Sequence, residues 1–198
     1  MKKYVFVFLA GIVLVPAAFY IYLRSGYAPV STSASPLPFE HFFAKLAMRA
    51  SLSHEGPKVD TAPPAEADLE SGASLYRENC AVCHGLPNTP QTAISKGMYP
   101  RPPQFFRLGQ PATYDANQPY HPASPKAYWK VKNGVRLTGM PGFKDSLTEQ
   151  QILQLSQFLG NAKNLPPAVT AVLEGKSEQA PSGDAAAGPG QRAAAGHR

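Results

Sequence analysis

The pattern of apolar and polar positions divides the chain into an apolar N-terminal run, a polar connecting segment, a region of short amphipathic helices and a polar end. Residues 4–23 carry no charged side chain and follow Lys2 and Lys3. As a helix, this run reaches about 30 Å, the thickness of the hydrocarbon core of a bilayer. The pattern therefore predicts a transmembrane anchor over residues 1–24. The rival interpretation is a cleaved secretory signal with small residues near Ala17, but the apolar run is longer than most signals need.

In either interpretation, the rest of the chain is exported across the membrane. Lys2 and Lys3 favour a cytoplasmic N-terminus, which places everything after the anchor on the outer side of the membrane. Residues 25–65 have the composition of a tether, with one amphipathic helix predicted at about 38–52. Its apolar residues are Phe39, Phe42, Phe43, Leu46 and Ala50, and Glu40, Lys45 and Arg49 lie opposite. Such a helix either lies in the membrane interface or packs on the following domain.

Residues 66–165 are predicted to form one small all-α domain. A helix rich in acid at its start runs from about residue 66 to the cysteines, and a proline-rich irregular stretch follows over residues 85–124. Ser124 and Pro125 start a short helix that Gly134 ends, and a capping box of Thr148 and Gln151 starts the last one. Residues 166–198 are predicted to be a disordered low-complexity tail. No run is predicted to be a strand.

Composition narrows the function classes. The net charge is +6, yet the basic residues are scattered, so nucleic-acid binding is not predicted. The 21 prolines and 16 glycines argue for long loops around a small helical core.

The two cysteines of the chain, Cys80 and Cys83, are followed directly by His84. Three chemistries use such a group: a zinc ion, a dithiol redox couple and a covalently held haem. Zinc lacks a fourth ligand here, and a thioredoxin-like couple would begin a helix after a strand, whereas this motif closes a helix. A plain disulfide leaves His84 without a role. Haem uses all three residues, because the two thiols on one helical face can bond the porphyrin while the imidazole binds iron.

A sixth iron ligand is predicted at Met140, which sits in a loop between glycines and a proline. A methionine sulfur opposite histidine is typical of haem electron carriers. Met98 is the rival sulfur and lacks this loop context. His121 is expected at the surface, and Trp129 is expected to pack against the haem.

Residues 66–165 resemble the class I c-type cytochromes, and the whole chain resembles their membrane-anchored mono-haem bacterial members. The residues that carry the resemblance are Cys80-Ala81-Val82-Cys83-His84-Gly85, Gly72, Tyr76 and Met140-Pro141. The family implies a small fold with crossed first and last helices, in which Gly72 and Tyr76 meet Phe158. It also implies a long loop around one covalently attached haem c. By the same resemblance, a proline carbonyl of this loop accepts a hydrogen bond from His84, and we favour Pro103 over its neighbours Pro100 and Pro102.

The sequence thus predicts an electron carrier and not an enzyme, anchored in the cytoplasmic (inner) membrane of a bacterium with its haem domain on the periplasmic side. Two alternatives stay open: a haem enzyme or gas sensor with an open distal site, and a fixed haem subunit of a larger respiratory complex. The positive segment Lys126–Lys144 is predicted to meet redox partners, and an acidic partner would suit it.

Overall fold

The structure is a computed structural model that describes residues 2–56, 58–59, 62–106 and 120–176. Over these residues it is all-α and contains no strand. Its helices are α1 (Lys2–Arg24), α2 (Glu40–Glu55), α3 (Glu66–Asn79), α4 (Ala81–His84), α5 (Ala93–Gly97), α6 (Pro125–Asn133), α7 (Glu149–Asn161) and α8 (Pro167–Leu173).

The N-terminal helices match the pattern of the sequence. α1 is long and apolar enough, by length and composition, to cross a membrane. It buries none of its residues in the protein, and neither does α2. α2 ends at Gly56, which takes the left-handed conformation and donates its N–H to the carbonyl of Leu52.

The core lies where α3 and α7 pack together. Its fully or almost fully buried side chains are Leu69, Ala73, Tyr76, Ile152, Leu155 and Phe158. Gly72 makes the close approach possible, since a Cβ there would lie 2.5 Å from the Gln154 carbonyl oxygen and 2.6 Å from the Phe158 Cβ. The rings of Tyr76 and Phe158 are 5.3 Å apart, centre to centre. The predicted meeting of Gly72 and Tyr76 with Phe158 is confirmed.

The starts of α6 and α7 differ in their capping. Thr148 and Gln151 form the predicted capping box, each side chain accepting a hydrogen bond from the other's backbone N–H. Ser124 stands at the N-cap of α6, as predicted, but its hydroxyl makes no capping hydrogen bond. α6 packs on α7, and Lys132 of α6 forms an ion pair of 2.5 Å with Glu149 of α7.

The end of the domain differs from the prediction. The boundary at residue 166 is wrong, because α8 follows it and buries Val169, Val172 and Leu173 against α3. Arg77 of α3 donates to the carbonyl oxygen of Val172 at 3.3 Å. The remainder of the predicted tail, residues 177–198, lies outside the described residues.

The proline-rich stretch contains one short helix, α5, and is otherwise irregular where it is described. Its central part, residues 107–119, lies outside the described residues. Its end is tied to α7 by Asn161, whose side chain accepts from the His121 N–H at 2.7 Å and donates to the His121 carbonyl at 2.8 Å. The stretch therefore leaves the core near α4 and returns to it beside α7.

Candidate haem site

The motif of two cysteines and a histidine forms a single helical turn at the end of α3. Cys80 closes α3 by donating its N–H to the Tyr76 carbonyl, and the His84 N–H donates to the Cys80 carbonyl at 2.9 Å. Gly85 then ends α4 with a φ of 83°, a value that favours glycine. The Tyr76 hydroxyl donates to the Gly85 carbonyl at 2.7 Å, so the core residue of α3 also holds the end of the motif.

The motif faces a cavity of about 490 Å³, which lies within the usual size range of small-molecule and cofactor sites. Side chains from the motif, the loop over residues 98–105, α6, the loop over residues 135–143 and the end of α7 line it. The sequence-predicted residues among them are Cys80, Cys83, His84, Pro103 and Met140. The chain thus brings these residues together around one mainly apolar space.

His84 is held by a backbone carbonyl. Its Nδ1 lies 2.8 Å from the Pro103 oxygen, as expected for the proline that supports this ring. Burial lowers the pKa of His84, and the hydrogen bond to Pro103 partly opposes that effect. A neutral imidazole that donates through Nδ1 presents Nε2 as the metal-binding nitrogen. Phe105 stacks on the ring, with 5.0 Å between the ring centres.

Gln104 is a residue that sequence reasoning missed. Its Nε2 donates to the Cys83 carbonyl at 2.9 Å and to the Ser95 hydroxyl at 3.0 Å. A Cβ on Gly85 would lie only 2.7 Å from the Gln104 Oε1, so this amide packs directly against the glycine. The Gln104 amide therefore holds the loop that carries Pro103 against the motif. In the sequence, the one signal that a side chain packs closely against the motif is the glycine directly after His84.

Met140 lies in a loop whose main-chain atoms pack closely against one another. Cβ atoms at Gly134 and Gly142 would lie 2.5 Å and 2.7 Å from main-chain atoms across the loop, so neither position accepts a side chain without movement. The Met140 N–H donates to the Thr138 hydroxyl at 3.1 Å, and its carbonyl accepts from the Val135 N–H at 3.1 Å. The methionine backbone is thus fixed on both sides.

The rival candidates lie at different places. Met98 also lines the cavity, and its methyl carbon lies 2.1 Å from where a Cβ on Gly139 would be, directly beside Met140. His121 is exposed and is not among the lining residues. The expectation for Trp129 finds no support, because it does not line the cavity and its indole N–H donates to Glu55 of α2. Both methionines therefore line the cavity, each from a different loop.

The environment of the cysteines bears on the dithiol alternative. Burial, with a smaller contribution from Cys83, raises the pKa of Cys80 to about 12. Reactive redox cysteines have a lowered pKa, because the thiolate is the nucleophile. The two thiols are not joined in a disulfide. Their surroundings suit a neutral thiol or a thioether better than a redox dithiol.

The charged residues at the rim of the cavity are all basic. Arg101, Lys126 and Lys130 line it, and none of its described lining residues is acidic. Burial lowers the pKa of Lys130, and the nearby charge of Lys126 lowers it further. Such a rim suits a cofactor with an apolar body and carboxylates at its edge, which is the chemistry of haem.

Together, the helical fold, the Cys-x-x-Cys-His turn and the methionine loop are typical of a class I c-type cytochrome domain. Residues 67–159 match the family described as cytochrome c oxidase, cbb3-type, subunit III. The chain is also similar to quinohemoprotein alcohol dehydrogenase ADH-IIG of Pseudomonas putida, with 31% identity over 121 residues. That match covers 58% of this chain and only 14% of the relative. No solved structure matches the chain.

The residues present fit a haem c. The cavity has the required apolar lining and two thiols, and it has an imidazole whose second nitrogen is held by a carbonyl. This fit and the family match support a c-type haem electron carrier.

Proposed function

We propose that this chain is a membrane-anchored cytochrome that carries one covalently attached haem and passes single electrons between redox partners at the outer face of the cytoplasmic membrane. Cys80 and Cys83 form the thioethers, His84 binds the iron through Nε2, and Met140 supplies the sixth ligand. The observation that carries the proposal is the meeting of both cysteines, His84 and Met140 at one apolar cavity. The haem supplies a one-electron iron couple.

The protein's own part is to hold the ligands and exclude water. Pro103 fixes the imidazole and raises its basicity, and the clamped loop over residues 134–142 presents the sulfur. His84 and Met140 would both bind the iron, so that a substrate or gas would find no open ligand position. Such an arrangement would suit a carrier better than a haem enzyme or gas sensor with an open distal site.

Met98 and Met140 provide a matched pair for testing the ligation. Met140→Ala should abolish the methionine–ferric charge-transfer band and allow carbon monoxide to bind the ferrous protein. Met98→Ala should leave both properties unchanged, because its loop lacks the backbone clamp around Met140. The reverse pattern would assign the sulfur to Met98. Carbon monoxide binding by the unchanged protein would favour the enzyme or sensor function.

The covalent bond is tested separately. Acid acetone should leave the haem on the denatured chain, because thioethers survive that treatment. If the haem extracts freely, the proposed roles of Cys80 and Cys83 are wrong.

A second candidate function is that of a fixed haem subunit in a larger respiratory complex. The match to a family described by an oxidase subunit favours it. Purification in mild detergent distinguishes the two, because a free carrier migrates alone and a fixed subunit brings stoichiometric partners.

The partner surface is proposed at Lys126–Lys144, where two of the basic residues line the cavity. Lys126 and Lys130 line the rim, whereas Lys132 is paired with Glu149. The positive charge available to steer an acidic partner is therefore concentrated at the first two lysines.

A further inference from the structure

α2 presents two different faces, and its apolar one is unpartnered. The side chains of Phe42, Phe43 and Leu46 are 61%, 61% and 53% exposed, and Phe39 just before the helix is 74% exposed. These residues fall on one side of the helix at 100° per residue. The described domain therefore leaves an aromatic stripe uncovered.

The opposite face of α2 is the one that contacts the cytochrome domain. His41 Nε2 lies 3.3 Å from the Tyr99 hydroxyl, and Glu55 accepts the indole N–H of Trp129. At 100° per residue, His41 and Glu55 lie roughly 120–180° around the helix from Phe43 and Leu46. The domain is therefore bound through polar contacts at both ends of α2, and the aromatic stripe points away from it.

The occupant of the aromatic stripe is indicated by its position in the chain. α1 is the described helix that is long and apolar enough to cross a membrane, and α2 begins soon after it. The connecting residues 25–39 span at most about 50 Å when fully extended, so α2 cannot lie far from the membrane. At 100° per residue, Lys45 and Arg49 lie at the Phe42 edge of the stripe and not opposite it, as the sequence pattern had suggested. Basic residues flank the apolar face in the same way in helices that lie on anionic lipid.

We propose that α2 lies in the headgroup region of the bilayer that α1 crosses, with Phe39, Phe42, Phe43 and Leu46 inserted toward the acyl chains. The inference rests on the anchoring part of the proposed function. It deepens that function because Tyr99 lies in the loop between the cavity residues Met98 and Pro100. This side of the haem cavity then lies next to the membrane, and the domain is held in one orientation instead of swinging on its tether.

The test measures the reaction of introduced cysteines with a membrane-impermeant maleimide in the full chain, reconstituted into vesicles of phosphatidylcholine and phosphatidylglycerol. Phe43→Cys and Leu46→Cys probe the stripe, and Lys45→Cys probes its flank. Leu137→Cys is the aqueous control, since Leu137 is 92% exposed on the haem domain. The unchanged protein gives the background from Cys80 and Cys83.

The stripe positions should react about tenfold or more slowly than the Leu137 control, because insertion removes them from water. The same vesicles, doped with a phospholipid that carries a photoactivatable acyl chain, should yield lipid adducts on residues 39–46. Adding Phe43→Glu to the Leu46→Cys variant should raise its labelling rate toward that of the control, because a carboxylate opposes insertion.

Three results would overturn the inference. Fast labelling at both stripe positions would show that the stripe lies in water. Slow labelling without lipid adducts would show that protein covers it, either a second copy or a partner. An unchanged labelling rate after Phe43→Glu would show that insertion is not what protects Leu46→Cys. The haem absorption spectrum is recorded for every variant, so that a defect of the haem site is seen separately.

Discussion

Gly72 is the position where one added methyl group should do the most damage to the fold. In Gly72→Ala the new Cβ would lie 2.5 Å from the Gln154 carbonyl oxygen and 2.6 Å from the Phe158 Cβ. Carbon atoms pack favourably at about 3.5–4.0 Å, so each contact is too short by roughly 1 Å. Both neighbours are fixed to the backbone of α7, and no side-chain rotation relieves the clash. α7 must therefore move away from α3.

The expected cost follows from two opposing effects. Overpacking a well-packed core costs about 1–3 kcal/mol, and backbone neighbours place this site at the upper end. Replacing glycine by alanine inside a helix stabilises the helix by about 1 kcal/mol, which offsets part of this cost. We expect the free energy of unfolding to fall by about 2 kcal/mol, or a drop in Tm of roughly 8–16 °C for a domain of this size.

The assay is denaturant unfolding of the haem-loaded protein in detergent, followed by helical circular dichroism and by haem absorbance. Gly97→Ala is the matched control, because a Cβ there meets nothing within 4 Å. The control should be neutral or slightly stabilising. If Gly72→Ala is as stable as the control, the close contact of α3 with α7 is refuted.

Three further predictions concern α8, the methionine loop and the charged rim. Leu173→Ala should lower the free energy of unfolding by roughly 2–5 kcal/mol, because Leu173 is fully buried, while Leu137→Ala should change it by less than about 0.5 kcal/mol. Equal effects in denaturant titrations would contradict the docking of α8. Thr138→Val removes the hydroxyl that accepts a hydrogen bond from the Met140 N–H. Because this loosens the Met140 loop, the variant should bind carbon monoxide faster in its ferrous form, at unchanged haem content. An unchanged rate would mean that the backbone contacts alone hold the loop. Lys126→Glu and Lys130→Glu should slow electron transfer with an acidic redox protein, and transfer by the unchanged protein should slow as salt rises; rates insensitive to both would exclude steering by this rim.

The sequence predicted those parts of the fold whose signals are local. The capping box of Thr148 and Gln151 marks its helix by neighbouring residues alone, and the spacing of Cys80, Cys83 and His84 specifies a single turn. Met140 was predicted as a ligand because glycines and a proline surround it, and the structure places it at the cavity. Each of these patterns depends on residues a few positions apart.

The features that the sequence did not predict depend on partners far along the chain. α8 is a short helix beside a low-complexity end, and its burial depends on a surface of α3 that no local pattern reveals. In the sequence, nothing distinguishes Gln104 from an ordinary loop residue. In the structure, its amide donates to the Cys83 carbonyl and to the Ser95 hydroxyl. Trp129 was expected to pack against the haem, yet its indole N–H donates to Glu55 of α2.

The two halves of the domain are stabilised in different ways, and the difference suits an electron carrier. α3, α7 and α8 share one apolar core. The cavity side depends instead on hydrogen bonds and close backbone contacts, such as those of Gln104, Pro103 and Thr138. These contacts fix the loops themselves: Gln104 joins its loop to the backbone of Cys83, Pro103 holds the ring of His84, and Thr138 holds the backbone of Met140. Loops held in this way would need little movement when the iron of a bound haem changes its charge, which would suit one-electron exchange.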